Sequence, residues 1–349
     1  MEIKSNSFGY TKSDEEVIKY TLYNDNNSSI SILNYGGIIT SIMVPDKNGN
    51  IENVVLGFDS IKDYEEKSPY FGSLVGRVAG RVSNASFKID GSTYNLAANN
   101  NSNSLHGGIK GFDKVIWNVT EIVEKDTVSI SLNYLSKDGE EGYPGNLDVN
   151  VTYSFNNNNE LEIHYNAKTD KKTVVNMTNH SYFNLSGNGK RDILEQYLQI
   201  NADSYCPVDK EIMPIEISDV KNTPFDFRQI KLVGQDIKID DVQLQIVGGG
   251  YDHPFILNDK ENIAAIMHDK ESGRYMEVVT DQKALVFYAC NQLDSGIELS
   301  SNIISKKHIA LCLETQYYPD AINQEFFESK FLCPNETYKA YTKFSFKVK

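Results

Sequence analysis

Three segments of this sequence hold side chains that could move protons or grip hydroxyl groups. The first is Asn176–Gly187, NMTNHSYFNLSG, which follows Thr173-Val174-Val175 and carries the Tyr and Phe of a strand. Alternate residues of a strand share a face. One face would hold Val175, Met177, Asn179, Ser181, Phe183 and Leu185. The other would hold Asn176, Thr178, His180, Tyr182 and Asn184, with a hydrogen-bonding group at every position. A merely solvated strand would more often show Lys or Glu there.

The second segment is Ile309–Gln324, IALCLETQYYPDAINQ. Ile309 to Leu313 is an unbroken apolar run, the pattern of a strand buried on both faces. Glu314 continues that strand on the side of Ala310 and Cys312. A carboxylate there costs several kcal/mol in desolvation unless it is paired, hydrogen-bonded or protonated. By itself the position fits a structurally paired carboxylate as well as a catalytic one. In the third segment, Asn101–Val119, His106 precedes Gly107-Gly108. Such glycines allow backbone to approach a ligand closely or to make a tight turn, and a lone histidine beside them is more often structural.

Other motifs carry less. Gly248-Gly249-Gly250-Tyr251-Asp252-His253 puts an acid and an imidazole after a flexible loop. Gly76–Arg81, GRVAGR, resembles a phosphate loop only superficially, because it lacks the GK[ST] ending and a helix to follow. No pair of His, Cys, Asp or Glu has a metal-ligand spacing, so no metal is implied. No GxSxG elbow is present.

The elements that must position these residues are strands. Apolar runs and alternating patterns cover Val17–Tyr23, Ser29–Met43, Ile51–Phe58, Leu147–Phe155, Leu161–Ala167, Ala264–His268, Tyr275–Thr280 and Tyr338–Val348. Turn signals such as Asp46-Lys47-Asn48-Gly49-Asn50 and Asp90-Gly91-Ser92 lie between strand signals. Helical periodicity is confined to short stretches near Ile61–Glu66 and Val233–Ile239. Successive hairpins with almost no helix predict antiparallel sheets packed face to face. Without a repeat or a Pro/Ser linker, residues 1–349 read as one large β-sandwich domain.

Composition excludes some partners. With 34 basic and 48 acidic residues, the net charge of -14 argues against sequence-independent binding to nucleic acid or anionic lipid. No run of about 18 apolar residues suggests a membrane span, and the start lacks the apolar run of a secretory signal. Cys206, Cys290, Cys312 and Cys333 are widely spaced, as expected of buried thiols in a reducing cytosol.

Taken together, GRVAGRV, NSLHGGIKGFDKVIW, TNHSYFNLSG, GYDHPFIL and LETQYYPDAINQ resemble, in this order, the motifs of the aldose 1-epimerases (galactose mutarotases). The resemblance runs from roughly Ser29 to the C-terminus and implies a large antiparallel β-sandwich of the galactose mutarotase type. It implies that Glu314 removes the proton of the anomeric hydroxyl and that His180 protonates the ring oxygen. Arg81, His106 and Asp252 would hold the sugar hydroxyls, and Tyr182, on the face of His180, would line the cleft. Asn176, Thr178 and Asn184 would extend the wall around His180 or hold it in place. Two positions depart from the family pattern: Gly80, where Asn is frequent, and Val286, where Gln is frequent. The implied reaction opens the hemiacetal with a base and an acid, turns about C1–C2 and recloses, so it needs no cofactor. The expected partner is a small aldose such as galactose or glucose, acted on by a cytoplasmic monomer or homodimer. The alternatives are a non-catalytic carbohydrate-binding protein, and a hexose-6-phosphate 1-epimerase, which should need extra Arg or Lys.

Overall fold

A computed structural model describes residues 1–258 and 263–349. Its largest sheet follows from period-two patterning. Along Leu147–Asn156, side chains at Leu147, Val149, Val151, Tyr153 and Phe155 are wholly buried while the intervening ones reach the surface. Its partner Glu160–Thr169 repeats this with Leu161, Ile163, Tyr165 and Ala167. Fully burying one such side chain is worth about 1.5–3 kcal/mol, so the pattern fixes which face turns inward. Nine antiparallel strands form this sheet, from Asn118–Glu124 at one edge to Lys231–Leu232 at the other, with Tyr338–Val348 inside it.

A five-stranded sheet comes from the first five strands, Glu2–Tyr10 to Ile51–Asn53. The stretch 29–43 is not one strand but two, Ser29–Leu33 and Ile39–Pro45, parted at Gly36-Gly37. Gly36 has φ +63° and its Cβ would lie 2.3 Å from the Asp113 carbonyl oxygen, so no other residue fits there. The turn at Asp46–Asn50 forms as expected: Asp46 Oδ1 accepts from the backbone N–H groups of Asn48 (2.8 Å) and Asn50 (2.9 Å).

Helix is scarce, as expected. Ile61–Lys67 is capped by Ser60, whose Oγ accepts from Asp63 N–H. The helical reading of Val233–Ile239 fails. Val233 and Gly234 instead donate their N–H groups to the carbonyls of Gln196 and Leu194, and the helix comes later, at Val242–Ile246 behind Asp241. Pairing with a neighbouring segment outweighed a weak propensity there.

The third large sheet carries the site. Its six strands run in the order Tyr182–Phe183, Leu311–Gln316, Ala284–Tyr288, Asp252–Ile256, Ser204–Tyr205, Ser218–Asp219. Phe183, Phe255, Leu285, Phe287, Leu311 and Leu313 send side chains into a core cluster shared with both other sheets. Strand parity therefore turns Tyr182, Asp252, Pro254, Val286, Tyr288, Cys312, Glu314 and Gln316 to the opposite face.

Candidate active site

That opposite face is the floor of a cavity of about 220 Å³. Register sets the floor in rows: Tyr182 beside Cys312, Tyr288 and Asp252, then Glu314 beside Val286 and Pro254. Loops supply Tyr70, His106, Ile212 and Pro214 to the walls, and the short strand Arg81–Val82 supplies Arg81. All six residues expected at the site, Arg81, His106, His180, Tyr182, Asp252 and Glu314, line this one cavity.

His180 reaches it through a break. The stretch Asn176–Gly187 is not a continuous strand. Thr178–Asn179 pairs with Leu74–Val75, Tyr182–Phe183 pairs with Leu311–Cys312, and His180-Ser181 crosses between the two sheets. The crossing is fixed by its backbone: His180 N–H donates to Ser73 O (2.9 Å) and Gly72 N–H donates to His180 O (3.0 Å). The break overturns the expected polar wall. Asn176 bonds the backbone of Tyr317, and Asn184 donates to the carbonyls of Arg191 and Ile309 while Gln196 donates to its side-chain oxygen. Thr178 is buried, and none of the three lines the cavity. The two asparagines brace the chain around His180 instead.

Arg81 and His106 are pinned to each other. Arg81 pairs with Leu105 across a two-residue ladder, and His106 N–H donates to Gly80 O at 3.0 Å. The close approach permitted by the glycine pair is to backbone, not to a ligand: a Cβ on Gly107 would lie 1.8 Å from Gly76 O. Gly80 N–H donates to His106 Nδ1 at 3.2 Å, which places that ring's own proton on Nε2, facing outward as a donor. Arg81 Nε donates to Asn100 Oδ1, leaving its terminal nitrogens for the cavity. The other arginine of GRVAGR, Arg77, is spent on the core, where it binds Ser136 and nearby carbonyls. His253 likewise turns inward, its Nε2 3.1 Å from Gln243 Oε1 and its Nδ1 accepting from the Asp252 backbone N–H, so it does not line the cavity.

At the centre, His180 Nε2 lies 3.5 Å from Glu314 Oε1, both side chains about 5% exposed (6% and 5%). Burial pushes Glu314 up to about 8, helped by the neighbouring Asp252 and opposed by Arg81. Burial pushes His180 down to about 4 and His106 well below its usual value, the latter helped by His180 and Arg81. Asp252 is raised by burial to about 6, against the pull of Arg81. Burial disfavours the charged form of both groups, so the contact is not an ion pair at neutral pH. The His180–Glu314 pair carries one proton, resident on the carboxyl, with a neutral imidazole within reach of it.

Ligand atoms of His106, His180 and Glu314 lie within 4.8 Å of one another. A metal on His106 Nε2 would meet the proton that the Gly80 contact places there, whereas metal-bound histidines usually donate from the other nitrogen. The trio suits hydroxyl groups better than a cation.

Several lining residues escaped the sequence reading. Gln316 is wholly buried, and neither end of its amide has a partner. It lies two residues beyond Glu314 on the same strand face, a signal that alternation could have supplied. Tyr288 stands in the same relation to Val286, which itself lines the cavity as Gly80 does. Tyr70 sits in a loop and had no such signal.

A family model described as aldose 1-epimerase matches residues 19–345. The chain belongs to the aldose 1-epimerase family. Among its relatives, the galactose mutarotase of Bos taurus is 42% identical over 335 residues, covering 95% of this chain and 94% of that protein. The aldose 1-epimerase of Escherichia coli (strain K12) is 33% identical over 332 residues, 93% and 94% of the two chains. The crystal structure of galactose 1-epimerase from Lactobacillus acidophilus NCFM superposes with a TM-score of 0.87 at 31% identity, covering 99% of each chain. In this family member the six-stranded sheet, the crossing at His180 and the paired Arg81 and His106 loops together build the site.

Proposed function

We propose that this protein interconverts the α and β anomers of a free aldose such as galactose or glucose. The observation that carries the reading is the buried contact between His180 and Glu314, 3.5 Å apart. Opening a hemiacetal requires a proton to leave the C1 hydroxyl while another reaches the ring oxygen. These two oxygens flank C1, so a base and an acid in mutual contact can serve both. Glu314 as carboxylate takes the hydroxyl proton as His180 in its protonated form delivers its own to the ring oxygen. The pair then stands as carboxylic acid and neutral imidazole, the state that burial favours. After rotation about C1–C2 the same two groups run the step backward on the other face. Substrate binding thus need only move the shared proton from Glu314 to His180.

Arg81, His106 and Asp252 supply donors and an acceptor for the remaining hydroxyls, with the flat side of Tyr182 beside them. The cavity of about 220 Å³ is smaller than the roughly 300–1,000 Å³ typical of drug-sized ligands and suits a monosaccharide. Among the described residues Arg81 is the one cation lining it, facing two carboxyls, which favours a neutral sugar over a phosphorylated one. We further propose that residues 1–349 act as one domain and that the protein works in the cytoplasm as a monomer or homodimer; its cysteines, none of them disulfide-bonded, fit a reducing compartment.

Polarimetry of freshly dissolved α-D-galactose and α-D-glucose tests the reading. Optical rotation should relax faster with the protein than in buffer. Sugar binding without faster relaxation would leave a carbohydrate-binding protein instead.

A further inference from the structure

The loop that anchors the backbone of His180 also presents a ring to its imidazole. Besides the two backbone bonds from Gly72 and Ser73, Tyr182 Oη–H donates to Pro69 O at 2.8 Å. Between them in sequence, Tyr70 lies near-parallel to the His180 ring, with centroids 5.9 Å apart and planes at 18°. Tyr182 lies near-parallel to the same ring, at 5.0 Å and 16°. Tyr70 also meets His106 edge-on at 4.7 Å.

The backbone shows that this placement is enforced. Tyr70 has φ +67°, a region rare for a bulky side chain and one that persists only where surroundings impose it. The imposing contacts are local: Ser73 donates to the Tyr70 carbonyl from both N–H (3.1 Å) and Oγ–H (2.9 Å), and Phe71 N–H donates to Ser68 Oγ.

We infer that Tyr70 is a positioning residue that fixes the plane of His180 and, together with Tyr182, stabilises its protonated form during proton transfer. This rests on the acid–base reading above. A buried imidazolium gains little from solvent, and the negative face of an aromatic ring adds stabilisation to what the neighbouring carboxylates supply. The other groups around it pull both ways. Arg81 and a protonated His106 oppose the charge, and ionised Glu314 and Asp252 favour it. Tyr288 and Cys312 lie beneath Tyr182, and Lys114, 3.6 Å from Asp113, stands 5.8 Å from the Tyr70 centroid. Burial holds the Tyr70 phenol protonated above its usual range, so its ring is a constant presence across the working pH.

The test compares Tyr70→Leu and Tyr70→Phe in the full chain. Polarimetry gives kcat and KM against pH, and NMR titration of His180 in the sugar-free protein reads its proton affinity directly. Phenylalanine keeps the ring and should stay within about twofold of wild type. Leucine should lower kcat by about 2- to 30-fold, move the acid limb and the His180 titration to lower pH, and leave KM nearly unchanged. Should the leucine variant melt early, Tyr70→Met takes its place. Wild-type kcat in the leucine variant would overturn the inference, as would an unmoved His180 titration or a phenylalanine variant as impaired as leucine. A wild-type protein that fails to speed mutarotation would sink the acid–base reading instead, while the His180 titration still judges Tyr70.

Discussion

Replacing Glu314 with glutamine should stabilise the protein progressively as pH rises, while removing its chemistry. The residue is 4% exposed, and its carboxyl holds a proton up to about 8 against an ordinary 4.5, because burial and then Asp252 disfavour the anion. Between those two pH values the folded chain keeps the proton and the unfolded chain has released it. Folding must then recapture a proton and becomes harder as pH rises. Below 4.5 both states are protonated and the effect vanishes; above about 8 it is constant. At about 1.36 kcal/mol per pH unit, the interval from 4.5 to about 8 amounts to about 5 kcal/mol, with about 3 kcal/mol present at neutral pH. Glutamine keeps the shape and never ionises, so it escapes this penalty. His180, lowered to about 4, acts in the opposite sense in both proteins, so the difference between variant and wild type isolates Glu314. Urea unfolding of both proteins from about pH 5 to about pH 8 reads that difference. It should climb in favour of glutamine by about 1.4 kcal/mol per pH unit and then level off. A difference that stays flat would refute a neutral Glu314 in the folded state.

The rate should be bell-shaped in pH, because the catalytic pair needs one proton: it falls below about 4 as His180 gains a second proton and above about 8 as Glu314 loses the shared one. Asp252→Asn removes a group that raises Glu314, so the alkaline limb measured by polarimetry should move to lower pH. Arg81→Ala and His106→Ala should each raise KM by roughly 5- to 150-fold, from lost hydrogen bonds of about 1–3 kcal/mol, with little change in melting temperature; a collapsed melt would make the residue structural. Val286→Gln adds an amide beside Glu314 and should change the ratio of kcat/KM between galactose and glucose, and an unchanged ratio would mean the sugar does not touch that position.

Much of the architecture was legible because period-two burial is a local signal: Leu147–Asn156 and Tyr338–Val348 announce both their strands and their inner faces. Glu314 stood out for a related reason, as a carboxyl that continues the unbroken apolar run Ile309 to Leu313. Its nearness to His180 was not legible from pattern, since 134 positions separate them in the chain and only sheet pairing joins Tyr182 to Cys312. Family motifs supplied that link. Asn176, Thr178 and Asn184 do not form a cavity wall, and the two asparagines hold the chain around His180 instead, for a definite cause. Alternation holds only while a strand stays in one sheet, and here the chain changes sheets at His180-Ser181. Tyr70 escaped altogether, because its place depends on a loop conformation that no periodicity encodes.

The central claim is that Glu314 and His180 act as one proton-transferring pair. Polarimetry of α-D-galactose with Glu314→Gln, His180→Asn and the double variant tests it most directly. Each single variant should lose roughly 10²–10⁴-fold in kcat while still binding sugar, and the double variant should lose less than the product of the two. A Glu314→Gln protein that keeps more than about a tenth of wild-type turnover, less loss than a general base accounts for, would contradict the account.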